Sequence, residues 1–229
     1  MTRTISRTEG GADTSRSRTW ALAAAAVLAL IVIAGIVVAT GGEPQTAGVN
    51  WHAQQESVGN TGPVEGASAT LERGNNGISY EFNATSLTPG NAYTLWLVVV
   101  NNPSACAVTP CVAGEIINNP ATDSQVRFAA GHLAGGSGRG TFAGHVSEGP
   151  LSGWLTNRAL IDAHGAEIHL VVNDHGPALP EYMPDMIRTY RGGCSNASPF
   201  PPPFPASALA DGEVGPNICR LFQAAVFLP

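Results

Sequence analysis

The stretch AEIHLVVNDHG, residues 166–176, sets two histidines and two carboxylates around an apolar run. Imidazole nitrogens ligate zinc or copper and move protons near neutral pH, and neighbouring carboxylates orient them. Two further histidines, His132 and His145, lie upstream on either side of a glycine-rich segment. With His169 and His175 they form the candidate metal set, which suits copper or zinc in a carrier or a small redox enzyme. A softer copper set combines His175 with Met183 and Met186, set against the reading in which both methionines line the buried side of a short helical turn. Glu167 and Asp174 fit glycoside hydrolysis poorly, because an odd spacing along a strand sends two carboxylates to opposite faces.

A strand must position these groups. Along it Ile168, Leu170 and Val172 share one face, which reads as core, while Glu167, His169, Val171 and Asn173 share the other. His169 therefore points away from the main core, beside Glu167. A metal or acid–base site needs donors from neighbouring strands, and a hairpin turning at 135–138 would bring His132 and His145 to one face. A slip of one residue reverses the face. The glycine-rich tip is no phosphate loop, since no Gly-Lys-Ser/Thr follows, and Arg139 replaces the last glycine of a nucleophile elbow around Ser137. No complete catalytic motif supports an enzyme.

The surrounding elements read as all-β. Gly (27 of 229) and Pro (17) are abundant and only 12% of residues are charged, so turns dominate over helices. ERGNNGISYEF predicts a hairpin with its turn at Asn76-Gly77 and a core face of Ile78, Tyr80 and Phe82. After a turn at Pro89-Gly90, AYTLWLVVV is apolar on both faces from Trp96 onward, as in the middle of a sheet. TNRALIDAHG predicts a short helix with Thr156 as N-cap and Gly165 as stop. CRLFQAAVFLP reads as a last strand tucked between others. The expected fold is a single antiparallel β-sandwich with long irregular loops, over 67–229.

The expected topology comes from residues 20–40, WALAAAAVLALIVIAGIVVAT, long enough to cross a bilayer core of ~30 Å. Of the 11 basic residues, Arg3, Arg7, Arg16 and Arg18 precede this run, and the next is Arg73. The positive-inside rule then leaves 1–19 in the cytoplasm, 20–40 as a single-pass anchor, 41–66 as a spacer with a first strand near 49–53, and the rest outside. A cleaved signal that releases a secreted domain is the alternative. All four cysteines fall on the outer side, where thiols oxidise; CAVTPC suggests Cys106–Cys111, leaving Cys194–Cys219, and is slightly long for half a zinc site. The chain has no lysine and a net charge of −6, which excludes a basic nucleic-acid footprint and leaves the helix as the only membrane contact. PFPPPFP reads as polyproline II, either a partner-docking strip displaying Phe200 and Phe204 or a rigid crossover.

The segments YEFNATSLTPGNAYTLWLVVVNNPSAC, FAAGHLAGG, GAEIHLVVNDHGPALP and FQAAVF resemble a group of bacterial exported proteins, over most of 67–228. More distantly, the pattern is similar to chordin-type β-sandwich modules. That family often carries a His-x-His pair at the end of the strand that 97–100 occupies here, so the likeness implies a sandwich and an outer location and supplies no activity. Two function classes follow. The first is a membrane-anchored extracytoplasmic module with a binding or structural role at the cell envelope, its partner a polysaccharide or another protein. The second is a copper- or zinc-binding protein built on the four histidines.

Overall fold

Period-two alternation and β-rich composition build two antiparallel sheets. Numbered in chain order, the first sheet runs β1 (Gln45–Ala47), β3 (Ser68–Gly74), β4 (Gly77–Ala84) and β7 (Gly140–Ser147). The second runs β2 (Asn50–Trp51), β11 (Arg220–Phe227), β10 (Glu167–Pro177), β5 (Asn91–Val100) and β6 (Ser124–Leu133). A small separate pair joins β8 (Gly149–Leu151) to β9 (Arg158–Leu160). This computed structural model describes residues 42–200 and 204–229. The expected tail and anchor, 1–40, and the centre of PFPPPFP lie outside the described residues. Among the described residues no helix is long and apolar enough to cross a membrane.

The two sheets share one core. Ile78, Tyr80 and Phe82 of β4 belong to the same apolar cluster as Leu95 and Leu97 of β5 and Ile168, Leu170 and Val172 of β10. Fully burying such a side chain is worth ~1.5–3 kcal/mol, which is why the alternation is obeyed on these strands. Every residue of β5 is buried, since β6 and β10 flank it and both its faces are covered. Its outward residues Trp96, Val98 and Val100 join a second apolar cluster with Ile116 of helix α1 (Ala113–Asn118), Trp154 and Tyr190. β11 lies between β2 and β10, as a final strand completing the core should. Both expected disulfides form, Cys106–Cys111 and Cys194–Cys219. The sheets, both disulfides and both apolar clusters lie within Ala39–Pro229, one compact unit that holds its own core.

Four local expectations change. The β3–β4 register pairs Gly74 with Gly77, so the turn residues are Asn75 and Asn76, one position earlier than an Asn-Gly turn. The glycine-rich tip does not close a hairpin: β6 pairs with β5 in one sheet and β7 with β4 in the other, so the chain crosses between layers there. The predicted helix after Thr156 is instead the strand β9, whose partner β8 outweighs the weak local helical preference; Asn157 precedes it with φ 55°. Finally, the spacer is partly woven into the domain. β1 pairs with β3, β2 with β11, and Val49 and Val64 are buried in the core.

Candidate functional site

The four histidines singled out by sequence are dispersed. His132, on β6 opposite Tyr93, lies edge-on to Phe142, with its Nε2 buried and unpartnered among the described residues. His145 is exposed on β7, where Nδ1 meets the Ser79 hydroxyl at 3.0 Å. His169 and His175 share β10, but six residues at ~3.3 Å each set them roughly 20 Å apart. Donors to one zinc or copper ion lie ~2 Å from it, so the set does not share an ion. The expected same-face pairing of His132 and His145 fails because the segment between them changes sheets.

His175 is instead the hub of a buried polar chain. With Nδ1–H donating to Gly192 O (2.9 Å), Nε2 is free to accept from the Thr94 hydroxyl (2.8 Å), which in turn accepts from Trp96 Nε1–H (2.9 Å). Burial drives the ring's pKa down to about 4, against a smaller opposing effect of the Gly192 carbonyl. Its nitrogen and the sulfurs of Cys194 and Cys219 lie within 4.8 Å of one another, but both sulfurs are committed to a disulfide. Met186 does not complete a soft copper set. It is fully buried, and its sulfur accepts from Leu179 N at 3.4 Å.

The outward face of the five-stranded sheet carries a different kind of site. The second apolar layer leaves a cavity of about 460 Å³. Its floor is Val98, Val171, Ala224 and Val226, pointing away from the main core on three adjacent strands. One wall is Ile116 and Ile117 of α1 with Pro110 and Cys111, so the Cys106–Cys111 clasp shapes the rim. The other wall is aromatic. Tyr190 stacks on Phe204 with centroids 5.0 Å apart, and Trp154 meets Tyr190 edge-on at 4.6 Å. Phe200 and Phe204, the expected docking strip, thus pack against Tyr190, and Phe204 lines the cavity. Arg191 lies 4.7 Å over the Phe200 ring.

Polar groups at the cavity are few. His52 lines it, with Nδ1 accepting from Gln54 N at 3.2 Å, and burial pushes its pKa down. His169 also lines it, only 8% exposed, with Nε2 2.6 Å from Glu167 Oε1. Glu167 is fully buried, and the same oxygen accepts from Cys111 N at 2.8 Å. Burial opposes ionisation of Glu167, but the bonds from His169 and Cys111 outweigh it and hold the carboxyl below the ordinary glutamate range. An ionised carboxylate only accepts, so Nε2 of His169 carries the proton. The sequence placed these two side chains together. It missed the cavity, whose walls come from irregular chain far away; the one signal was the apolar outward face of β5, Trp96, Val98 and Val100.

The chain matches no family model, no curated protein and no solved structure. The likeness to chordin-type modules therefore rests on the sequence pattern alone.

Proposed function

We propose that this chain is a membrane-anchored, extracytoplasmic β-sandwich that serves the cell envelope as a binding module, and that its ligand occupies the cavity on the outer face of the five-stranded sheet. The observation that carries this reading is the cavity itself. It is concave, lined by aliphatic and aromatic side chains with isolated polar groups, and its volume of about 460 Å³ falls within the ~300–1,000 Å³ of small-molecule sites. Two disulfides support an oxidising compartment. The basic residues before 20–40 support a tether with the domain outside. The ligand class is apolar, in place of the polysaccharide suggested by sequence, because aliphatic walls offer a sugar few hydrogen-bond partners. Metal binding by the four histidines gains no support from their placement.

The test is a fluorescence titration of the oxidised unit 39–229 with N-phenyl-1-naphthylamine, whose emission rises in apolar surroundings. Saturable binding of about one probe per chain is expected, and Ala224→Phe, which fills the floor, weakens it at least tenfold. Absence of saturation, or indifference to Ala224→Phe, refutes the cavity as a site. Topology is tested separately with a phosphatase fused after Pro229, active only when the C-terminus lies outside.

A further inference from the structure

We infer that Glu167 and His169 form the polar anchor of the cavity, and that its ligand is an apolar molecule carrying a hydroxyl group, which donates to His169 Nδ1. This rests on the cavity being a ligand site and names what that site selects.

A carboxylate without exposure on the outward face of a sheet is expensive to bury, and one of its oxygens, Oε2, has no partner among the described residues. Its other oxygen, Oε1, satisfies the buried Cys111 amide, a structural role that a neutral acceptor such as glutamine would fill without a charge. What the carboxylate does is fix one imidazole. It accepts from Nε2–H at 2.6 Å, and the Cys111 amide holds the same oxygen in place at 2.8 Å. In the neutral ring the proton is then at Nε2 and the lone pair at Nδ1.

That Nδ1 hydrogen-bonds to nothing among the described residues, while the ring lines the cavity. With the ring neutral, the site offers an acceptor in largely apolar surroundings. An apolar ligand without a donor leaves the acceptor unpaired and desolvated, which penalises it; a hydroxyl satisfies it. Glu167 acts only through His169 and is a positioning residue.

The experiment compares naphthalene with 2-naphthol on the oxidised unit 39–229, two probes that differ by one hydroxyl. The ratio of the 2-naphthol affinity to the naphthalene affinity is expected to fall about tenfold on His169→Phe. An unchanged ratio overturns the inference. In the wild-type chain, the ¹⁵N resonance of His169 Nδ1 is expected to move on addition of 2-naphthol and to stay with naphthalene; equal responses overturn the inference even if the variant misfolds. Glu167→Leu is expected to release the tautomer, so that both ring nitrogens share the proton in the ¹⁵N spectrum and the ratio falls. A retained single tautomer removes the positioning role. If naphthalene itself does not bind, the cavity reading falls; if it binds and the hydroxyl gains nothing, only the anchor falls.

Discussion

Acidification should destabilise the domain through His175, by an amount that the structure sets. The buried ring has a pKa of about 4, whereas an unfolded histidine titrates near ~6.5. Above ~6.5 both states carry a neutral ring and the group is silent. Between the two values the unfolded chain takes up a proton that the folded ring refuses, so stability falls as the pH falls, and the loss is complete below about 4. A gap of roughly 2.5 pH units at ~1.36 kcal/mol each comes to roughly 3 kcal/mol, a large share of the ~5–15 kcal/mol typical of a domain. The control is His175→Gln, whose amide can donate to Gly192 O and accept from Thr94 without titrating. Urea unfolding of both chains, pH 8 to 4, should show their stability difference constant above 7 and closing by roughly 3 kcal/mol on the way down. The other titrating groups, including Asp174, whose pKa burial raises, are common to both and cancel. Parallel pH curves for the two chains would refute the reasoning.

Other expectations follow from packing and covalent constraint. Replacing both Cys194 and Cys219 by Ala opens a loop of sequence separation 25 and should cost roughly 3 kcal/mol in urea unfolding, against roughly 2 for the shorter Cys106–Cys111 loop. Phe82→Ala, at a fully buried position between the sheets, should cost about 4 kcal/mol. Arg73 is 5% exposed and donates to the carbonyls of Ala163, Ala166 and Leu228, so Arg73→Met should accelerate amide exchange at the end of β11, which a purely superficial arginine would not do. His145→Ala, on an exposed face, should change stability by less than about 0.5 kcal/mol, and zinc or copper should wash out of the chain on desalting. About one retained ion per chain would contradict the dispersal of the histidines.

Much of the scaffold was legible because it follows from local alternation. The core faces of β4 and β10 needed only the two-residue period, and the disulfide pairing followed from the short CAVTPC spacing. The juxtaposition of Glu167 and His169 was legible for the same reason, being i and i+2 on one strand. What failed depended on which strand meets which. The segment around Gly135 to Gly138 has the composition of a hairpin turn, yet its flanking strands find better partners in different sheets, and that choice scattered His132 and His145. β9 took an extended form because β8 was available. The cavity was least legible of all: its walls join α1, the clasp and the aromatics Trp154, Tyr190 and Phe204, whose meeting is set by tertiary packing and not by any periodicity.

The most direct measurement is a methyl-resolved NMR titration of the oxidised unit 39–229 with 2-naphthol. If the outward cavity is the site, the methyls of Val98, Val171 and Val226 and of Ile116 and Ile117 shift together and saturate, while those of Leu97, Ile168 and Leu170 on the inner face of the same strands stay still. No saturating shifts, or shifts confined to the inner face, would contradict it.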